Sequence, residues 1–278
     1  MPASEPRYLV GEPYEMGGVW SYPREDFALV QTGLATVSDA RPGRRTANGE
    51  VHDPSALVAA HRTLQLPAIL RVRNLATGLE VEVRVNDRGP ANPGRVVELS
   101  ARAAELLRIP RGGTAPVRIS VVAEGSRALA GSLPGTENAP LPIATAPVGS
   151  IQAETLAPPP GARQAERVRT AAPRAQAVAV AGPDPIAVPL RLPERVVQTA
   201  PEATRILVEA ASFARRDLAE RQRARLAHLG ARVEPFFVNR TTQNFRVRIG
   251  PLPNVAAADA ALEGVLRAGV TEARILLD

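Results

Sequence analysis

Residues 79–90 read LEVEVRVNDRGP, and this stretch decides the fold of the first half of the chain. Its apolar residues, at every second position from Leu79 to Val85, alternate with Glu and Arg, which is the pattern of a strand with one buried face. The next residues, NDRGP, are a turn sequence. The stretch therefore predicts a half-buried strand that carries Asp87 to a turn at one end of a sheet.

Further short strands surround this one. A strand over Ile69 to Leu75 precedes it across Ala76-Thr77-Gly78, which predicts a hairpin. Strands over 96–99 and 115–122 follow it, and the Asn48-Gly49 dipeptide before it is typical of a tight turn. Many short strands separated by turns within about 90 residues predict a small closed β-barrel.

Two short helices are predicted to interrupt these strands. Asp53 followed by Pro54 is an N-cap and first-turn pair, which predicts a helix over 55–60. Ser100 is the predicted N-cap of a second helix, over 101–108.

The second half of the chain divides into a linker and a tail. Thirteen of the 27 prolines lie between residues 126 and 201, in a stretch without helical or strand periodicity, which predicts a disordered linker. Beyond it, alternating strand and helix patterns predict a small α+β domain of order βαββαβ, with Gly230 ending its first helix. We expect a lead-in segment over 1–32, a barrel over 33–122, a linker over 123–203 and the α+β domain over 204–278.

Composition excludes several classes of function. The chain has 278 residues, no Cys and a net charge of +6, and all 34 of its basic residues are Arg. Without Cys there is no thiolate metal site and no cysteine nucleophile, and without Lys there is no P-loop. The three histidines are not in HExxH spacing, and no Ser lies in a GxSxG motif. The positive charge is dispersed, which argues against nucleic acid as a partner.

Three residues before and after the central strands are candidates for chemistry. Glu50 follows the Asn48-Gly49 turn, His61 follows the first predicted helix, and Asp87 ends the central strand. Carboxylates at strand ends beside glycine turns can serve in general acid–base catalysis. From the residues alone, Asp87 fits an Asx-turn or an ion pair with Arg88 as well, Glu50 fits a solvated turn, and His61 fits a structural hydrogen bond.

Five motifs in a fixed order resemble the rare lipoprotein A family, bacterial septal-ring lytic transglycosylases with a double-psi β-barrel. The N-terminal segment is similar to the lead-in of many members, and the tail is similar to a sporulation-related repeat (SPOR) domain, a peptidoglycan-binding module. The motifs are Gly33-Leu34-Ala35, Arg45-Thr46-Ala47-Asn48-Gly49-Glu50, Ala59-Ala60-His61-Arg62-Thr63-Leu64, Val85-Asn86-Asp87-Arg88-Gly89-Pro90 and Gly94-Arg95-Val96-Val97-Glu98-Leu99-Ser100.

This resemblance implies an enzyme with no cofactor and no metal. It implies that Asp87 is the principal acid/base, that Glu50 is a second carboxylate or stabilises an oxocarbenium ion, and that His61 orients or tunes one of them. Which carboxylate is acid and which is base stays open. The expected substrate contacts are Asn48, Arg62, Asn86, Arg88, Phe213 and Phe245.

The implied substrate is peptide-free peptidoglycan, cleaved to 1,6-anhydro ends. Relatives commonly carry rings that are missing here: Thr36-Val37-Ser38-Asp39 replaces Ser-Trp-Tyr-Gly, His52 replaces a Phe, and Ala91 replaces another. The Asp usual before Leu-Ser is Glu98. A non-catalytic wall-binding protein is therefore the alternative. An expansin-like protein that loosens the wall without cleaving it is a third, weaker one.

The expected location is the periplasm. The first residues lack a basic and an apolar signal region, and family members are often anchored by a lipid on an N-terminal Cys that this sequence does not contain. We expect a mature chain whose export signal was removed, acting as a monomer and joined to a membrane only through such an anchor.

Overall fold

The computed structural model describes residues 6–134 and 191–278. The lead-in segment forms a two-stranded antiparallel ribbon, β1 (Tyr14–Met16) and β2 (Val19–Ser21). Two successive glycines with positive φ, Gly17 and Gly18, make the turn between the two strands.

Six strands close into a barrel. Their order around the ring is β4-β7-β3-β8-β5-β6, and a further pairing of β4 with β6 completes the circle. Two pairs, β3–β7 and β4–β6, are parallel, and the others are antiparallel. The strands are β3 (Val30–Val37), β4 (Val58–Ala60), β5 (Ala68–Asn74), β6 (Leu79–Asp87), β7 (Arg95–Leu99) and β8 (Thr114–Val121).

The predicted alternation of the central strand is confirmed. The valines of β6 point into the barrel core, which is packed from Val, Leu, Ile and Ala. The hairpin of β5 and β6 is antiparallel, with its turn at 75–78. The closed β-barrel expected from the short strands is therefore present.

The prediction of a helix over 55–60 is wrong. Asp53 does accept a hydrogen bond from the main-chain N–H of Ser55, but the chain continues into the strand β4. This strand is buried between β6 and β7, whose main-chain groups bond it on both sides. The local helix signal is overridden because β4 closes the barrel. The second predicted helix is confirmed as α1 (Ala101–Leu106), capped by Ser100.

The predicted linker is ordered at both ends. Its first residues form α2 (Ala123–Ser132), where Ser126 accepts a hydrogen bond from the main-chain N–H of Ile69. Its last residues include β9 (Val196–Gln198), which pairs antiparallel with β6. Main-chain pairing of this kind needs no apolar pattern, so no local pattern in 196–198 predicts it. The rest of the predicted linker, 135–190, lies outside the described residues.

The tail is a four-stranded antiparallel sheet of order β11-β12-β10-β13. The βαββαβ order and the left-handed Gly230 are confirmed. The elements are β10 (Ile206–Phe213), α3 (Arg216–Arg225), a 3₁₀ turn (Ala227–Leu229), β11 (Arg232–Phe237), β12 (Gln243–Leu252), α4 (Val255–Arg267) and β13 (Arg274–Leu277). No helix in the described ranges is long and apolar enough to cross a membrane.

The tail packs against the barrel at the start of β3 and β7. Leu34 on β3 is only 1% exposed and belongs to the hydrophobic core of the tail. Arg95 makes two hydrogen bonds to the Asp259 carboxylate, at 2.6 and 2.9 Å. The hydroxyl of Thr32 donates to the carbonyl of Leu277 at 2.8 Å. Both strands run from this contact toward the site described next.

Candidate active site

Asp87 ends β6 and faces a small cleft that is open to solvent. One oxygen of its carboxylate accepts hydrogen bonds from the main-chain N–H groups of Ala47 and Arg88, each at 2.9 Å. The other oxygen pairs with the Arg44 guanidinium. The residue keeps 7% of its surface exposed. Three N–H donors therefore converge on Asp87 and fix the orientation of its carboxylate.

Glu50 is held in a buried network of donors. Arg84, which is 2% exposed, reaches one carboxylate oxygen of Glu50 through Nε at 2.9 Å and Nη2 at 2.7 Å. The Asn48 amide donates to the same oxygen at 2.8 Å, and the Asn86 amide donates to the other oxygen at 2.8 Å. Arg84 and Asn86 lie two residues apart, so their side chains are on the same side of β6. Both can therefore reach Glu50, which follows the Asn-Gly turn. With four hydrogen bonds to its oxygens, the Glu50 carboxylate is held in one orientation behind the cleft.

His61 is 3% exposed and is not among the residues that line the cleft. Its Nδ1 accepts hydrogen bonds from the main-chain N–H groups of Thr63 and Leu64, both at 3.2 Å. Burial, with the nearby charges of Arg88 and Arg62, lowers the pKa of His61 to about 3. The ring is therefore neutral with its proton on Nε2. Its main-chain N–H donates to the Asp87 carbonyl at 3.1 Å, so His61 reaches Asp87 through the backbone.

Arg62 and Arg88 attach the lead-in ribbon to the barrel. Arg62 donates to the carbonyls of Met16 and Ala91, the latter at 2.8 Å. Arg88 donates to the carbonyls of Leu64 and Val10, and its guanidinium lies 6.0 Å from the centre of the Tyr14 ring. Of these two expected substrate contacts, Arg88 lines the cleft and Arg62 does not.

The other expected contacts divide in the same way. Asn86 lines the cleft, whereas Asn48 is fully buried and bonds Glu50 and Thr46. In the tail, Phe213 and Phe245 face each other across β10 and β12 and pack partly on the tail core. Asp87, Asn86 and Arg88 are thus brought together at the cleft, with Glu50 one hydrogen bond behind it.

Sequence reasoning missed several residues of the cleft as site residues. Arg44 directly precedes the motif that contains Glu50, and Glu98 lies within the motif Gly94–Ser100, so their neighbours were the available signal. Arg84, the partner of Glu50, looked like one of the exposed positions of an alternating strand. The cleft is lined by Ser38, Arg44, His52, Val58, Ala59, Ala60, Asn86, Asp87, Arg88, Glu98 and Ser100.

The described residues contain no group of three or more His, Asp or Glu placed to hold a metal ion. The arrangement instead offers carboxylates at an open cleft with fixed donors around them. Such groups can give and take protons and stabilise a developing positive charge.

Two family models match the chain. One, described as lytic transglycolase with a double-psi β-barrel, matches residues 31–119, and the other, the SPOR domain, matches residues 202–274. These matches agree with the barrel and the α+β tail.

Curated relatives in several bacteria carry the name endolytic peptidoglycan transglycosylase RlpA. The protein of Pseudomonas aeruginosa PAO1 is 33% identical over 263 residues, which cover 86% of this chain and 69% of the relative. That of Yersinia pestis is 42% identical over 113 residues, 38% of this chain and 31% of the relative. That of Campylobacter jejuni is 42% identical over 118 residues, 41% of this chain and 42% of the relative. The matched regions thus span from about a third to about two thirds of these relatives.

Proposed function

Because the chain belongs to the RlpA family of endolytic peptidoglycan transglycosylases, we propose that it cleaves glycan strands of peptidoglycan in its barrel. The bond cut is the one from N-acetylmuramate to N-acetylglucosamine, in strands without peptides, and the product carries a 1,6-anhydro end. The barrel, 33–122, has the catalytic role, and the tail, 204–278, binds the wall. The observation that carries this proposal is Asp87, oriented by three donors at an open cleft.

The reaction is an internal displacement on the muramoyl sugar. The bond from its anomeric carbon to the glycosidic oxygen breaks, and the leaving oxygen gains a proton. The C6 hydroxyl of the same sugar loses its proton and its oxygen bonds to the anomeric carbon, so no water is consumed. Asp87 is the principal acid/base in these transfers because it is the member of the trio that lines the cleft.

Glu50 and His61 support this chemistry without facing the cleft. We assign the Glu50 carboxylate the stabilisation of the positive charge that develops on the sugar ring, as a second carboxylate does in glycoside cleavage. The main-chain N–H of His61 bonds the end of β4 to the Asp87 carbonyl, and the imidazole accepts a hydrogen bond from the main-chain N–H of Thr63 in the loop that follows. Asn48 and Arg62 act as positioning groups of Glu50 and of the lead-in ribbon, whereas Asn86 and Arg88, which line the cleft, are the proposed sugar contacts.

The tail directs the enzyme to septal, peptide-free strands, with Phe213 and Phe245 as proposed contacts. The substrate places the protein outside the cytoplasm. We further propose that it is a monomer in the periplasm and that any attachment to the outer membrane is through a lipid.

The second candidate function is a wall-binding protein without activity. It is favoured by one observation: among residues 6–134 and 191–278, no Phe, Tyr or Trp lines the cleft, so these residues offer sugars no aromatic ring to pack on there. The two functions predict different products from the same substrate.

The deciding experiment incubates the protein with amidase-stripped glycan strands and analyses the products by mass spectrometry. We expect 1,6-anhydro products from the wild type and none from Asp87→Asn. Asp39→Asn, an exposed acid just beyond β3, is the matched control and should act like the wild type. If the wild type pulls down strands without cleaving them, the binding protein is the right reading. If Asp87→Asn cleaves normally, the acid/base assignment is wrong.

A further inference from the structure

The cleft contains a carboxylate outside the trio, that of Glu98 on β7. In the barrel, Ala60 on β4 pairs with Asp87 on one side and with Glu98 on the other. Two strand spacings of about 4.8 Å therefore separate the backbones of the two acids. Glu98 and Asp87 lie on opposite flanks of the same residue and line the same cleft.

The side chain of Glu98 points out of the barrel. Its neighbours Val97 and Leu99 are fully buried in the barrel core, so the alternation of β7 turns Glu98 to the opposite face. There its Oε2 lies close to the loop that follows Asp87: a Cβ built on Gly89 would be 3.4 Å from this oxygen. The φ of Gly89 is +148°, a conformation that favours glycine. The loop thus brings its backbone close to the carboxylate.

Glu98 differs from the other two acids in its partners. Four hydrogen bonds occupy the Glu50 carboxylate, and three donors converge on Asp87. Glu98 is half-buried, and in the described part of the chain no hydrogen bond or ion pair reaches its carboxylate. Both of its oxygens are therefore available to a substrate.

We propose, on the basis of the function proposed above, that Glu98 is the proton donor of the reaction and that Asp87 is the acceptor. Protonated Glu98 gives its proton to the glycosidic oxygen as the bond from that oxygen to the anomeric carbon breaks. Asp87, held by three donors, takes the proton of the C6 hydroxyl as the C6 oxygen bonds to the anomeric carbon. Exchange with solvent returns one proton to Glu98 and removes one from Asp87 before the next turnover.

This division of labour matches the two environments. Three N–H donors hold the Asp87 carboxylate in one orientation at the cleft, which suits a group that must accept the proton of a hydroxyl at a fixed position. The Glu98 carboxylate has no such donors in the described part of the chain, so it can turn toward the leaving oxygen of a bound strand. The charged and titratable groups that line the cleft around Glu98 are Asp87, Arg44, His52 and Arg88.

The test measures kcat, KM and the pH profile of Glu98→Gln on stripped glycan strands. We expect kcat to fall about 100- to 10,000-fold with KM little changed, since a general acid contributes a factor of this size. The fall in rate at high pH should also disappear, because the amide has no proton to lose. Glu98→Asp, which keeps a carboxyl group at this position, should recover most of the rate.

The matched control is Glu124→Gln, an exposed acid at the start of α2 that has the same change in charge. Thermal melting of each variant, followed by circular dichroism, reports whether the fold is kept. An active wild type together with a Glu98→Gln variant of unchanged rate and pH profile overturns this inference alone. An equal loss of kcat in Glu98→Asp and Glu98→Gln, with both folded, also overturns it. A wild type that forms no 1,6-anhydro product overturns the proposed function and this inference with it.

Discussion

Lowering the pH from 7 to 5 should destabilise the wild-type barrel more than that of a His61→Asn variant. In the folded chain the pKa of His61 is about 3, mainly because the ring is buried, whereas the ordinary value is 6.5. Between pH 6.5 and 3, the His61 imidazole is therefore protonated in the unfolded chain and neutral in the folded chain. The free energy of unfolding falls as the pH is lowered through this interval. The full interval corresponds to about 5 kcal/mol, of which about 2 kcal/mol is lost by pH 5.

Asparagine is the informative replacement because its side-chain oxygen can accept the N–H groups of Thr63 and Leu64 in place of Nδ1. Urea unfolding at pH 7, 6 and 5, followed by the fluorescence of Trp20, gives the free energy of unfolding. Trp20 is the only tryptophan and lies on the ribbon attached to the barrel, so it reports on this part of the chain. His228→Asn, at an exposed position of the tail, is the matched control. If His61→Asn keeps the full dependence on pH of the wild type, the buried neutral imidazole is not its cause.

Three further outcomes are expected. Arg84→Met should lower the free energy of unfolding, measured with urea, by about 3 kcal/mol, because it leaves the buried Glu50 carboxylate without its main partner. Adding Glu50→Gln to this variant should recover most of the loss. A fall below about 1 kcal/mol would contradict the buried pair. Arg95→Glu should release the tail and raise the radius of gyration in small-angle X-ray scattering, because it places a second carboxylate against Asp259. Combining Arg95→Glu with Asp259→Arg should reverse the increase. An unchanged radius of gyration in the single variant would contradict the docked tail. Gly89→Ala should cost about 1–3 kcal/mol and reduce product formation, because φ is positive there and the new Cβ would lie 3.3 Å from a neighbouring Cβ; wild-type melting would contradict this.

Much of the fold could be predicted from local pattern. The strand from Leu79 and its hairpin partner follow from a two-residue period, and Ser100 and Gly230 mark helix ends by their own chemistry. The segment 55–60 could not be predicted in this way. Its local signal is that of a helix, but its hydrogen-bond partners come from strands distant in sequence, and the closure of the barrel outweighs the cap.

The candidate site divides similarly. Motif order placed Glu50, His61 and Asp87 together in one functional group. Their environments came from contacts across the chain: Arg84, 34 residues from Glu50, holds that carboxylate, and Arg44, 43 residues from Asp87, pairs with the other. The sequence motif marks Glu98 only as a replacement of the Asp usual before Leu-Ser, and does not predict it as a site residue.

Local sequence patterns were enough to predict the β-rich barrel and the βαββαβ tail, because periodicity and helix caps are local properties of a chain. The trio of Glu50, His61 and Asp87 follows from the family resemblance, and its catalytic role stays a proposal. Tertiary structure alone decided that Glu50 is held behind the cleft, that His61 is neutral, and that Glu98 faces Asp87. These depend on which strands become neighbours. Once β4 lies between β6 and β7, residues far apart in sequence share one cleft, and their burial and hydrogen-bond partners follow from that arrangement of strands.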